Sequence, residues 1–445
     1  NGEELWAYLA PNMIGNLEKI PSNNANVTNA IYGIDGSPIV KDIYYDDTPD
    51  DGRNNPVWKT IALVGLGAGG HGYFALDITN PQSPTHLFAI ENDPTNQAVK
   101  HWDKDGFKNE FGYAGGSISA NMDYRKLGEA WSTPRIIRVK HSGKDKWVAV
   151  FGAGYNGSVN PNYGSAVFVM DLEDEGRLLQ KIDITDLSSS NIVNSVPADL
   201  TVITADGTEK ANYNGAMVYA ADLEGKITKI NLTDTGTMYQ TTTLFNSESN
   251  SSNGRYIYKR AQATINDGDL WLYFGTGNTQ KLQEQSTDIK NRVYGIKDKN
   301  FPSFSVINNP GTISQCKTAP TCPGGSDLGW YVDLKNKQKL TAEPTVYKDR
   351  VYYPIYEPTS GTTGCNTGTA LLTAYDSKCG NSVLNVNVGK GVLSKVVVQK
   401  DNLYIGLAGE ANENISGFTS KDNLITGKSK AKGGGAISVE GWKQN

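Results

Sequence analysis

Val64-Gly-Leu-Gly-Ala-Gly-Gly-His-Gly-Tyr-Phe-Ala-Leu-Asp-Ile-Thr-Asn-Pro81 decides how this chain is read. Ile61 to Val64 is a short apolar run of strand length, and five glycines follow between Gly65 and Gly72. Tyr73 to Ile78 reads as a second strand, closed by Asp77 and by the turn Thr79-Asn80-Pro81. Glycine lets the backbone take positive φ and lets another segment approach closely. Gly65-Leu-Gly67-Ala-Gly69-Gly70 also has the spacing of a dinucleotide fingerprint. That motif needs a helix after the glycines. Tyr73 to Ile78 alternates like a strand instead, so the stretch is read as a structural hairpin.

The pattern extends outward. Across 445 residues, with 48 Gly and 23 Tyr, short apolar runs are broken by Gly, Asn, Asp, Pro and Ser. No sustained helical period is present, and the composition is that of an all-β protein. The 42 basic and 47 acidic residues are mixed along the chain, for a net charge of −5. No basic stripe points to nucleic acid. No run of apolar residues is long enough to span a membrane as a helix. The chain starts at Asn1 and reads as a processed protein or an excised fragment, whose targeting signal is not visible.

Hairpin units recur in one internal order. A lead-in strand, often after Pro, is followed by an apolar strand ending in Gly, a loop, and a strand ending in Asp or Asn. Ser132-Thr-Pro-Arg-Ile136, Trp147-Val-Ala-Val-Phe-Gly152 and Gly164 to Leu172 make one unit. Ser195-Val-Pro197, Met217 to Asp222 and Gly225 to Leu232 make the next. Leu270 to Gly275 with Arg292 to Ile296, Ala342 to Asp376, and Asn402 onward supply three more. With the unit at Ile61, six are visible. Such sheets cannot bury both faces alone, so they stack radially. The expected fold is an all-β propeller with long inter-strand loops, at Asp93–Asp123 and Asn300–Leu328. A pair of β-sandwiches is the alternative. The segments around Leu5 and Ala436-Ile-Ser-Val439 are expected to join as a further blade.

These segments resemble the C-terminal β-propeller domain of the PilC/PilY proteins associated with type IV pili. The resemblance rests on Val64 to Pro81, Phe151-Gly-Ala-Gly-Tyr-Asn156 and Val218-Tyr-Ala-Ala-Asp-Leu-Glu-Gly225. It also rests on Phe274-Gly-Thr-Gly277, Gly329-Trp-Tyr-Val-Asp-Leu334 and Leu340-Thr-Ala-Glu-Pro344, all in the family's order. It implies a modified seven-bladed propeller over residues 1–445, the C-terminal domain of a larger surface protein. It further implies a place on the bacterial surface, the outer membrane or the pilus tip, reached through the periplasm. The implied roles are pilus assembly, opposition to retraction, and adhesion, surface sensing or twitching motility. The implied partners are minor pilins and a host surface receptor.

An enzyme is the competing class. Quinoprotein dehydrogenases are also propellers with repeats like Val218-Tyr-Ala-Ala-Asp222, but many carry vicinal cysteines and this chain has none. No Gly-x-Ser-x-Gly elbow, HExxH or P-loop occurs. The Asp residues of repeat turns bond their own backbone, Asp46-Asp47 and Asp50-Asp51 read as solvated loop, and His71 reads as a bystander. The chain is expected to be non-catalytic. A third class is a glycan- or protein-binding propeller, for which Tyr155-Asn-Gly-Ser-Val-Asn-Pro-Asn-Tyr163 is the candidate loop.

The four cysteines are Cys316, Cys322, Cys365 and Cys379, and the four histidines all lie between His71 and His141. No CxxC spacing supports zinc. An even cysteine count in loop-rich sequence points to disulfides and an oxidising compartment. The expected pairs are Cys316–Cys322 and Cys365–Cys379.

The resemblance also raises calcium. In the family, a loop before the Val-Tyr-Ala strand carries alternating Asp and Asn that bind Ca²⁺. Here it reads Thr204-Ala-Asp-Gly-Thr-Glu-Lys-Ala-Asn-Tyr-Asn-Gly-Ala216. The family's acidic positions fall near Thr208, Lys210, Asn212 and Ala216, and of these Asn212 keeps a good oxygen donor. Asp206, Glu209 and Asn214 reach the ion only with a shift in register. Asp206-Gly207 is itself a strong turn dipeptide. The expectation is that the metal is lost. If it is retained, Asp206 and Asn212 are its ligands.

Overall fold

A computed structural model of the chain describes residues 3–17, 32–45, 57–114, 118–155, 163–186, 192–208, 210–359, 367–432 and 437–438. Asp46, Asp47, Asp50, Asp51, residues 156–162, Glu209, Cys365, Ala436 and Val439 lie outside the described residues.

The described strands form five sheets in chain order. The first runs Ile39–Tyr45, Val57–Gly65, Gly72–Asp77 and Thr85–Asp93, extended outward by Ala98–Trp102 and Lys108–Gly112. The second is Arg135–His141, Lys144–Gly152, Ala166–Asp171 and Leu178–Asp183. The third is Thr201–Thr204, Gly215–Ala221, Lys226–Thr233 and Thr241–Asn246, with Gly311–Thr312 added in parallel. The fourth is Gln262–Asn266, Asp269–Gly275, Arg292–Asp298 and Gly329–Asp333, with Cys316–Thr318 on its outer edge.

The fifth sheet has nine strands and holds two units. Its first arm is built on Arg350–Glu357 and Thr369–Asp376, its second on Asn402–Ala411 and Leu424–Lys428. The long strand Ser382–Leu393 joins them: its first part pairs with Thr369–Tyr375 and its last part with Leu407–Ala411. Gly391, at φ +126°, sits at that junction, where a Cβ would stand 2.2 Å from the Ala408 carbonyl oxygen. Only glycine passes there.

Why these strands read as continuous apolar runs is clear from the packing. Successive side chains of a strand point to opposite faces, and here both faces are covered. Val148 and Val150 pack on the third sheet, beside Ala216, Val218 and Ile230. Their neighbours Ala149 and Phe151 pack on the first, beside Tyr73 and Ile61. Met217 and Tyr219 meet Leu270, Leu272 and Phe274 of the fourth sheet. Trp271 and Tyr273 face Val351, Tyr353 and Ile355 of the fifth. Tyr352, Leu372 and Ala374 then meet Leu403, Ile405 and Leu407 of the second arm. Sheets stacked face to face in chain order, with the lead-ins of successive sheets converging, make a β-propeller. The described residues supply six blades, the same six units visible in the sequence.

Strands ending in Asp carry a second regularity. Asp77, Asp171, Asp298 and Asp376 each accept a backbone N–H from two residues on, at 2.9–3.0 Å. These are Asx turns, as expected of aspartates in repeat turns.

The chain ends differ from expectation. Ile437–Ser438 pairs with Ile265 and Thr264, on the inner edge of the fourth sheet, and not with the N-terminal segment. Residues 3–10 form no strand. Tyr8, Ala10 and Met13 lie flat on the outer face of the first sheet, against Ala62, Val64, Phe74 and Leu76. Trp6 Nε1 donates to the Pro81 carbonyl at 2.8 Å, and the Tyr8 hydroxyl meets His86 Nδ1 at 2.7 Å.

Candidate functional site

The glycine stretch is a hairpin, as its alternation predicts. Gly65 pairs with Tyr73 in an antiparallel ladder. Gly67 takes φ +60°, and a Cβ on Gly69 would lie 1.7 Å from the Gly33 carbonyl oxygen. The glycines therefore serve close backbone packing. No helix follows them.

Beside this hairpin a cleft of about 540 Å³ opens between Asn12, His71, Glu91, Asp93, Lys100 and Trp102. Asp93 accepts from Lys100 Nζ at 2.5 Å and from Asn96 Nδ2 at 2.7 Å. Burial alone would raise its pKa, but these bonds and the Lys100 charge outweigh it and hold the carboxyl at about 2. His71 is pushed below the usual imidazole range by burial, against the pull of Asp93. Lys100 stands where a metal would need open carboxylates, between Asp93 and Glu91, the latter at 3.9 Å.

A second constellation sits where the lead-ins meet, and sequence reasoning missed it. Arg260 Nη2 donates to Glu343 Oε2 at 3.0 Å, and Lys395 Nζ lies 3.2 Å from the same oxygen. Thr133 N donates to Asp199 Oδ1 at 2.7 Å. Thr201 Oγ1 donates to the Ala261 carbonyl and Thr345 Oγ1 to that of Val396, at 2.5 and 2.7 Å. Each contact ties one lead-in to the next around the hub. Of these, Thr133, Asp199, Arg260, Glu343 and Lys395 line, with Arg135, a cleft of about 240 Å³. Burial, then the Glu343 charge, raises the Asp199 pKa. Burial lowers that of Lys259, against the pull of Glu343 and Asp199. The available signal was a charged or hydroxyl residue close to each lead-in proline, as in Thr133-Pro134-Arg135, Pro197-Ala-Asp199 and Glu343-Pro344. The arrangement can lock blades together.

The loop raised for calcium forms a single 3₁₀ turn, Ala205–Gly207, closed by Thr208 N on the Ala205 carbonyl at 3.2 Å. Asp206 and Asn212 are both exposed. Asn214 donates from its backbone N and from Nδ2 to Asp234, at 2.9 and 2.6 Å. Lys210 Nζ bonds the Gly268 carbonyl, Thr208 is buried, and Ala216 is inside a strand. Ca²⁺ takes six to eight oxygens; of the side chains raised for it, Asn214 is engaged by Asp234 and Glu209 lies outside the described residues. No group of three or more His, Cys, Asp or Glu poised for a metal occurs among the described residues.

The cysteine pairing differs from the sequence expectation. Cys322 is bonded to Cys379, 57 residues away, and Cys316 is a free thiol. The bridge joins the loop after Cys316–Thr318 to the hairpin after Thr369–Asp376, across the interface of the fourth and fifth sheets. At the same place Trp330 Nε1 and the Tyr273 hydroxyl both donate to the Ser377 carbonyl, at 3.0 and 2.9 Å. Stacking brings that hairpin to Cys322, which proximity in sequence could not reveal. The Cys316 thiol is packed among apolar side chains of the third and fourth sheets, and burial pushes its pKa up to about 12. Of the candidate binding loop, Tyr155 stacks on Trp131 at 4.1 Å between ring centroids and packs near Tyr258. It contributes to an aromatic cluster and is half-buried.

Comparison with known proteins gives a consistent picture. The family model described as the PilY1 beta-propeller domain matches residues 11–300. A type IV pilus biogenesis factor PilY1 homolog of Xylella fastidiosa is 24% identical over 419 residues, 85% of this chain and 25% of that protein. The type IV pilus biogenesis factor PilY1 of Pseudomonas aeruginosa is 29% identical over 232 residues, 52% of this chain and 16% of that protein. The chain thus spans a quarter or less of the length of these relatives. The crystal structure of the Pseudomonas aeruginosa PilY1 C-terminal domain superposes with a TM-score of 0.58 at 16% identity, covering 93% of this chain and 89% of that one. It supports the same fold.

Proposed function

We propose, from the premise that this chain belongs to the PilY1 β-propeller family, that it is a non-catalytic interaction module of a type IV pilus biogenesis factor. The observation that carries the reading is the match over residues 11–300, joined to relatives that are named as pilus biogenesis factors. In this reading the chain is one propeller, the C-terminal domain of a larger surface protein. It supports pilus assembly, opposes retraction and contributes to adhesion and twitching, with minor pilins as partners at the pilus tip. The Cys322–Cys379 bridge supports passage through an oxidising compartment. No described helix is long and apolar enough to cross a membrane. The absence of catalysis is part of the proposal: the turn aspartates are engaged by backbone N–H groups, and the hub charges are paired with one another. We also propose that the Thr204–Ala216 loop of this chain holds no calcium.

Deletion of the propeller in the native host tests the reading. The expected result is loss of surface pili and of twitching, restored by the intact protein in trans. Normal piliation and twitching would overturn it.

A further inference from the structure

All six lead-ins reach one cleft at the hub. Ile39 comes from the first sheet, Arg135 from the second, Asp199 from the third and Arg260 from the fourth; Glu343 and Lys395 come from the two arms of the fifth. The whole chain carries a net charge of −5. This lining instead holds three cations, Arg135, Arg260 and Lys395, against two carboxylates, Asp199 and Glu343. Lys259 feels the charge of both carboxylates and adds a fourth cation beside them. One carboxylate oxygen serves two of the cations: Arg260 Nη2 and Lys395 Nζ approach Glu343 Oε2 at 3.0 and 3.2 Å. Asp199 Oδ1 accepts from Thr133 N at 2.7 Å. Burial disfavours the charge on Asp199 and on Lys259 alike, so it does not reverse the balance. Among the described residues the hub is left with more cation than carboxylate.

An excess of cation in a recessed cleft favours an anion, because a charge taken out of water is costly until a counter-charge meets it. Size narrows which anion. At about 240 Å³ the cleft is smaller than the sites that enclose whole small molecules, so it suits one small group. Two of its three cations are guanidiniums, whose fork matches a carboxylate through two parallel hydrogen bonds. The hub already seats one carboxylate, Glu343, between a guanidinium and an ammonium. A doubly charged group would be repelled by Asp199 and Glu343, which line the same space; a single carboxylate balances the excess. One source lies in the chain's own sequence. Ile437 and Ser438 pair antiparallel with Ile265 and Thr264. Their strand therefore advances toward the Arg260 end of Gln262–Asn266, and Glu440 follows Ser438 by two residues in the sequence. The other source is an acidic group from outside the chain.

We propose that the hub cleft is a carboxylate-binding site, in which Arg135, Arg260 and Lys395 hold one carboxylate group supplied by Glu440 or by a molecule outside the chain. The proposal stands on the hub alone and does not depend on the pilus reading. Saturation-transfer difference NMR tests it, with acetate as the probe and ionic strength held constant with sodium chloride. The intact chain and its Glu440→Gln variant are titrated side by side. The expected result is transfer to the acetate methyl protons in at least one of them. Transfer in the variant alone assigns the cleft to Glu440; equal transfer in both assigns it to an external carboxylate. Arg135→Gln and Lys395→Gln, each made in the responding protein, should raise the acetate Kd about tenfold, the worth of one hydrogen bond to a charged group. The Lys395 side chain is 33% exposed, so its variant decides the matter if Arg135→Gln alters the near-ultraviolet circular dichroism. No transfer in either protein would overturn the proposal. So would binding that Arg135→Gln and Lys395→Gln both leave unchanged.

Discussion

Removing the cross-blade bridge should cost this protein more than a local clip would. The perturbation is the double substitution Cys322→Ser with Cys379→Ser. The bridge spans 57 residues. Loop-closure entropy for a ring of that size corresponds to about 4 kcal/mol at 25 °C. A bridge between Cys316 and Cys322, six residues apart, would give only about 2 kcal/mol on the same account. The two pairings therefore predict different patterns. With Cys322–Cys379, the double variant loses about 4 kcal/mol, and reduced wild type falls to the same stability. Cys316→Ser then costs about 1–2 kcal/mol, for placing a hydroxyl among the apolar side chains that pack the thiol, well short of the double variant. The assay is urea unfolding followed by tryptophan fluorescence, with Trp330 beside the bridge as reporter, together with non-reducing peptide mapping. A Cys316→Ser loss equal to that of the double variant would refute the reasoning. A mapped Cys316–Cys322 peptide would refute it directly.

Three further outcomes are expected. Lys229 Nζ lies 2.6 Å from Asp298 Oδ2, both side chains being 1% exposed. Lys229→Met should therefore destabilise by about 3–5 kcal/mol in urea, and adding Asp298→Asn should recover most of that; a loss under about 1 kcal/mol would show the pair to be solvated. Asp93 and Asp123 are held at about 2, where hydrogen bonds and charge from Lys100, and from Arg125 and Lys181, outweigh the burial that would raise them. Because these pKa values are depressed, their contribution is full above pH 4 and is lost as pH falls from about 4 to about 2. Asp93→Asn with Asp123→Asn should flatten the acid limb of the stability profile there, and an unchanged limb would exclude these groups as its source. Calorimetric titration should give no heat with calcium up to millimolar concentration, whereas a micromolar site abolished by Asp206→Ala would show that the loop does hold the ion.

The hairpin at Val64–Pro81 was legible because its rules are local. Alternation, glycine and an Asx turn act within a few residues, so strand order and turn chemistry could be read without the partner strands. The candidate sites were less legible. Asn12 and Asp93 are separated by most of the first sheet, and Asp199, Arg260, Glu343 and Lys395 belong to four different lead-ins. Residue type alone would place Lys226 and Lys229 in solvent, yet they are 0% and 1% exposed. They sit in strands covered on both faces, where only matching carboxylates make burial tolerable.

Sequence by itself determined the all-β class, the six recurring units, the hairpin in place of a nucleotide cradle, and the aspartate turns. Tertiary structure decided what depends on which blade lies against which. Stacking placed the Cys379 hairpin beside Cys322 in preference to the nearer Cys316. It sent Ile437–Ser438 to the inner edge of the fourth sheet and laid the N-terminal segment over the face of the first. It also gathered the hub charges and left Asn12 Oδ1 without a donor. The physical reason is one of range. Backbone rules reach a few residues, whereas disulfides, buried ion pairs and clefts are set by side chains that meet only after whole sheets have packed.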